Sequence, residues 1–141
     1  MPTLKKDEAD LIQTAKDFAK NQIAPKASAW AQDRRIGLNT LNKAAQLGFT
    51  GIQVPVKHGG RGFSFSCKAR VLEIFAAEDF GFALSLVNTH NVAEKLAREA
   101  SSRLTKAYVP DILAANILGC TALTETGAGS DVAAIQSFAT K

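Results

Sequence analysis

Leu11–Ile23 reads "LIQTAKDFAKNQI", and its apolar residues recur at helical steps. Leu11, Ala15, Phe18 and Gln22 follow one another by four, three and four, and Ile12, Ala19 and Ile23 widen the stripe. The pattern predicts an amphipathic helix from about Lys5 to Asp33. Pro25 has no amide hydrogen and is expected to kink or restart it, with Trp30 anchoring the far end.

Working outward, the same texture continues. Asn39 is placed to cap a short helix through Leu47, with Gly48 ending it. "GFTGIQVPVKHGGRGFSFS" (48–66) is crowded with glycine and predicts a long surface loop. Ser64 or Ser66 can start "CKARVLEIFAAEDFG", whose faces run through Val71, Phe75 and Ala76 or through Leu72, Phe75 and Asp79; Gly81 is expected to stop it. "FALSLVNTHNVAEKLAREA" (82–100) is apolar first and charged later, which fits a buried start and an exposed end. Ser101 then caps "SRLTKAYVPDILAAN", where Leu104, Tyr108 and Ile112 stand four apart and Pro110 perturbs the middle.

After Asn116 the period is lost. "ILGCTALTE" (117–125) and "DVAAIQSFAT" (131–140) flank a glycine turn and suit strands. The expectation is a mainly α chain: an up-down helical bundle over 1–116, with 117–141 as a short β-hairpin segment that begins an incomplete β-domain.

Composition narrows the function. The 141 residues can bury a core, and 46% hydrophobic with 21% charged residues is ordinary for a globular chain. Eight Phe against one Trp and one Tyr point to packing rather than base stacking. The net charge of +4 is spread among acids, as in "KKDEAD" and "AEKLAREASSR", which reads as solvated helix faces and not a nucleic-acid patch. Cys67 and Cys120 lack zinc-site spacing and are expected to be buried thiols in a reducing compartment. His58 reads as an exposed loop residue, and two separated histidines offer no metal cluster. No apolar run reaches membrane-span length, and "MPTLKKDEADLIQ" has neither a signal core nor transit character, so no membrane association and a cytoplasmic setting are expected.

The chemistry-bearing stretch is "ALTETGAGSD" (122–131). It lacks the helix and small residue of a dinucleotide fingerprint, and the lysine of a phosphate-binding loop. An ordinary turn would account for its glycines. What it does offer is a Thr124 hydroxyl suited to the edge of a flat heterocycle, Gly127 and Gly129 for close backbone approach, and a Ser130 hydroxyl.

Taken with "LGFTGIQVPVKHGGRGFS" (47–64), "AKDFAKNQIAPKASAWAQD" (15–33), "FALSLVNTHN" (82–91) and "AYVPDILAANILGCTALTETGAGSD" (107–131), this stretch resembles the acyl-CoA dehydrogenase family over nearly the whole chain. The resemblance implies an FAD enzyme that removes two hydrogens from the α and β carbons of an acyl-CoA thioester. In that family a glutamate takes the α proton, the flavin accepts the β hydride, and an electron-transferring flavoprotein carries the electrons away. It implies a helical domain, a β-domain and a C-terminal helical domain in homotetramers or homodimers. Carried over residue by residue, Thr121, Leu123, Thr124, Gly129 and Ser130 would serve the FAD, Thr124 by bonding the flavin ring. Ser130 would also serve the acyl-CoA, with Leu86, His90 and Asn91 on the Leu84–Asn91 wall of the acyl pocket. His90 is open between a hydrogen-bonded packing role and pocket contact.

Two departures stand out. Thr126 stands where the family has proline, which loosens the turn. No position matches the catalytic base: Glu73 and Glu78 read as helix-surface charges, and Glu125 as a residue that caps or orients the turn. The chain is therefore expected to be an inactive N-terminal portion on its own. Two alternatives accompany this reading: a related flavoenzyme such as an acyl-CoA oxidase or nitroalkane oxidase, and a stand-alone helical dimerisation or interaction module.

Overall fold

The computed structural model describes residues 4–140. Helix α1 (Lys6–Phe18) starts where the Glu8 carboxylate accepts the Lys5 N–H at 3.0 Å, covering a donor the helix cannot satisfy itself. Leu11, Ala15 and Phe18 form its buried stripe, as their spacing predicts. Ahead of Pro25 the backbone widens into a π-turn, Ala19–Ile23, and α2 (Ala24–Asp33) starts with the proline in its first turn. The missing proline amide is absorbed by this bulge rather than by a sharp break. The extra residue rotates the stripe, so Ala19 and Ile23 are buried and Gln22 is not.

The far end of α2 is anchored as expected. Trp30 stacks on Phe82 with ring centroids 5.8 Å apart and planes 10° from parallel. Phe82 in turn meets Phe18 and Phe75, and Phe75 meets Phe49 edge-on at 4.9 Å. These rings form the main core, and each fully buried one contributes about 2–3 kcal/mol by area alone.

Helix α3 (Leu38–Gln46) is capped by Gly37, not by Asn39, which is exposed on its first turn. Gly48 ends it in a left-handed conformation, φ 83°. The 48–66 stretch does not skim the surface. It folds back on itself through Arg61 N–H to Gly51 O, Gly62 N–H to Val54 O and Phe63 N–H to Ile52 O, and buries Phe49, Ile52 and Val54. Only glycine fits at 60, because a Cβ there would lie 2.1 Å from the Val54 carbonyl oxygen.

Helix α4 (Phe65–Glu78) is capped by Ser64, whose Oγ accepts the Cys67 N–H at 3.2 Å. Gly81 does not stop it. Asp79 turns out of the helix and caps α5 (Phe80–Glu99), accepting the Phe82 N–H at 2.6 Å, and Gly81 sits inside α5. Asp79 can make that bond and Gly81 cannot, so the boundary falls at the side chain. Ser101 caps α6 (Ser102–Leu113) as expected. The face of α6 is one residue off the reading: Thr105, Val109 and Ile112 are buried, while Leu104 and Tyr108 are exposed. Thr105 tolerates burial because its hydroxyl donates to Leu96 O at 3.0 Å. Val109 and Ile112 make a second core with Val54, Ala93 and Ala97, so the charged half of α5 is exposed on one side only.

The helices form an up-down arrangement in which α1 packs on α4, α4 on α5 and α5 on α6. Among the described residues the expected hairpin is not formed. Residues 117–140 hold one isolated bridge, Glu125 to Ala128, and a 3-10 turn, Val132–Ala134, but no strand. Leu123, Val132 and Phe138 are exposed, and a two-stranded ribbon without an apolar surface beneath it is marginal. Cys67 is buried as expected, but Cys120 lies in this segment and is exposed. His58, on the 3-10 turn Val56–His58, is half-buried rather than exposed. No helix among the described residues is long and apolar enough to cross a membrane.

Candidate functional site

The candidate residues lie on two elements of the second half of the chain, helix α5 and the segment 117–140 that follows α6. Helix α5 lies on the core through Phe82, Ala83, Leu86, Thr89, His90 and Ala93, which fixes what its other side presents. Leu84, Val87, Asn88 and Asn91 follow at steps of three, one and three, one outward strip in helical geometry. Leu84 is 47% exposed and Asn91 is exposed. Of the three wall residues named from sequence, Asn91 is on this strip, whereas Leu86 and His90, each 1% exposed, point into the protein.

His90 has a specific job inside. Its Nε2 accepts the Gln53 N–H at 3.0 Å, tying α5 to the folded-back loop, so the ring proton belongs on Nδ1. Burial first, and the nearby Lys68 ammonium second, push its pKa down to about 4. Nδ1 has no partner among the described residues. Of the two roles left open, the geometry displays the packing one.

The candidate cofactor segment is pinned across α5. Gly119 N–H donates to Thr89 Oγ1 at 3.3 Å, and that hydroxyl donates to Ser85 O at 2.9 Å. A Cβ at 119 would lie 2.7 Å from Val92 Cβ, so glycine is what lets the chain cross so closely. Beyond it Thr121, Leu123, Thr124, Gly129 and Ser130 are all exposed. Among the described residues nothing demands glycine at 127 or 129, since an added Cβ at either meets no atom within 4 Å. Hydroxyls on an open loop beside unencumbered backbone fit a flat heterocycle with phosphates.

Glu125 does not face outward as a free base. Its carboxylate accepts the Gln136 N–H at 3.0 Å and the Ser137 N–H at 2.8 Å, and these bonds hold its pKa below the usual range. It gathers the loop where strand pairing does not. Glu73 and Glu78 are exposed on α4. Among the described residues no three His, Cys, Asp or Glu side chains come together as a metal site would require.

Two charged residues escaped the sequence reading. Glu8 is 4% exposed, and it accepts Ser64 N–H at 2.7 Å as well as Lys5 N–H, which lowers its pKa. Lys68 is 7% exposed, and its Nζ donates to Asn91 Oδ1 at 3.2 Å. A signal was present for Lys68, which precedes Val71 and Phe75 by three and seven residues and so shares their inward face.

Against known proteins, the domain described as "Acyl-CoA dehydrogenase, N-terminal domain" matches residues 5–116. The short/branched chain specific acyl-CoA dehydrogenase of rat mitochondria is 36% identical over 137 residues, covering 96% of this chain and 32% of that protein. The glutaryl-coenzyme A dehydrogenase in its glutaryl-CoA complex superposes with a TM-score of 0.88 at 27% identity, over 96% of this chain and 35% of that one. PigA with FAD and proline gives 0.83 at 25% identity, over 94% of this chain and 36% of that one. The chain thus spans about a third of the length of the curated relatives it matches.

Proposed function

The chain belongs to the acyl-CoA dehydrogenase family through its N-terminal domain, and from that premise we propose that it supplies one wall of the acyl pocket and one edge of the flavin site of an FAD-dependent acyl-CoA dehydrogenase. The observation that carries this is the crossing at Gly119. It ties the segment leading into the exposed Thr121–Ser130 loop to Thr89 and Val92 of α5, the helix that carries the proposed acyl wall, and in this reading the cofactor and acyl residues serve one site.

In this reading Thr124 and Thr121 hydroxyls with Leu123 and Gly129 backbone hold the FAD, which when bound accepts the hydride. Ser130 would serve both the FAD and the acyl-CoA. Asn91 contacts the acyl group together with Leu84 and Val87 of the same strip; Leu86 and His90 shape the wall from behind. Residues 1–116 act as the helical domain and 117–141 as the start of the β-domain. An electron-transferring flavoprotein takes the electrons, and the complete assembly is a homotetramer or homodimer. A cytoplasmic setting belongs to the same reading, although the rat relative's name places that protein in mitochondria; cell fractionation decides between them. General-base catalysis needs a base within reach of the α proton, and Glu125, the acid nearest the loop, is committed to two backbone amides. The chain alone is therefore inactive.

Amide NMR of this chain with FAD and with butyryl-CoA tests the reading. FAD is expected to shift the 121–130 amides and butyryl-CoA the 84–91 amides, with no turnover in the presence of an artificial electron acceptor. Shifts confined to other elements, or none, overturn the site; turnover overturns the inactivity.

A further inference from the structure

Lys68 is a cation buried against a candidate substrate wall with no carboxylate to neutralise it. Its stem lies in the seam between α4 and α5, and its Nζ reaches Asn91 Oδ1 at 3.2 Å and stands 5.2 Å from the Phe65 ring centroid. No ion pair within 4.0 Å forms at Lys68 among the described residues. Glu94, one turn along α5, acts on it only at longer range, and its carboxylate is already held by Arg98 at 2.8 Å. His90, on the other side, is neutral.

An amide oxygen and one ring face compensate an ammonium only in part, and two of its three N–H donors are left for another acceptor. An apolar side chain would fill the same seam without that desolvation. The position of Asn91 gives the arrangement a direction. The outward strip begins apolar at Leu84 and Val87, turns amide at Asn88, and ends at the Asn91–Lys68 pair. Leu84 and Asn91 are about 10 Å apart along the helix, the span of a short acyl chain.

We infer that Lys68 and Asn91 form a binding site for a carboxylate at the far end of the acyl group, so that the preferred substrates are monothioesters of dicarboxylic acids rather than plain fatty acyl thioesters. The inference rests on the proposed role of the α5 strip as acyl wall. Lys68 donates to the distal carboxylate through its ammonium, and Asn91 orients that ammonium through Oδ1.

Calorimetric titration of this chain with glutaryl-CoA and with butyryl-CoA is the test. Glutaryl-CoA is expected to bind about tenfold more tightly, the scale of one charge-assisted hydrogen bond. The preference should vanish in Lys68→Met and persist in Lys68→Arg. Should Lys68→Met fail to fold, the Lys68 Cε resonance of the unaltered chain serves instead: glutaryl-CoA shifts it and butyryl-CoA leaves it in place. Equal binding of the two thioesters, a preference that survives Lys68→Met, or a Cε signal that ignores glutaryl-CoA overturns the carboxylate site and leaves the acyl wall standing. If neither thioester binds, the acyl wall falls and the carboxylate site with it.

Discussion

Glu8 and His90 carry opposite charge chemistry and yet respond to acid alike. Hydrogen bonds from Ser64 and Lys5 lower the Glu8 pKa, so its contribution is complete above the ordinary carboxylate range and is lost as pH falls through its own lower value. His90 is held neutral with a pKa near 4, against an ordinary value of about 6.5, so the unfolded chain binds the extra proton first. Its contribution is complete above pH 6.5 and is lost between there and about pH 4. Urea unfolding followed from pH 7 to 4 should therefore show falling stability, and His90→Gln should flatten the slope. Glu8→Ala should cost about 1–3 kcal/mol at pH 7, because two part-buried hydrogen bonds to a carboxylate are lost together. Neither residue's role was legible in sequence. A glutamate in a first turn looks like any N-terminal acid, and Glu8's second partner is 56 residues away. A histidine on an apolar stretch says nothing of the backbone amide it meets.

At the scale of elements, periodicity located the helices, and side-chain caps set the starts of α4, α5 and α6. Ser101 reads correctly, and of the two serines open for α4 the cap is Ser64, because a serine before an apolar run has one common use. The α4–α5 boundary was misread at Gly81 because glycine breaks helices on average, while Asp79 breaks this one by bonding Phe82 N–H. Asp79→Ala should cost about 1 kcal/mol and fray the start of α5, seen as faster amide exchange there. The α6 face was missed because Thr105 is polar, and only the Leu96 carbonyl above it explains its burial. The hairpin is absent for a reason outside the local sequence: its apolar runs have no surface beneath them to lie on. Gly119→Val should lift the 117–140 segment from α5, given the 2.7 Å approach to Val92, and should quicken proteolysis there while the helical circular dichroism stays unchanged.

For the molecule as a whole, the two thiols report on folding from different places. Burial, and then the charge of Glu8, push the Cys67 thiol up to about 11, and it donates to Glu8 O at 3.8 Å, whereas Cys120 is exposed. A thiol reagent at pH 8 should consume Cys120 at once and Cys67 only at the rate of global opening, with Cys120→Ser removing the fast phase alone. The resemblance carried by the sequence located the family, because several motifs stand in order along the chain. It could not separate the outward Asn91 from the inward Leu86 and His90, since that depends on which side of α5 meets the phenylalanine rings.

The Glu8 bridge has a consequence for synthesis on the ribosome. Its carboxylate needs Ser64 to complete its pair of donors, so α1 leaves the exit tunnel with half of its tether missing. At a translation rate of about 5–20 residues per second, the interval before Ser64 is made lasts roughly 3–11 s. Through that interval Leu11, Ala15 and Phe18 are without α4 to cover them, and a holdase that grips the nascent chain has its natural window there.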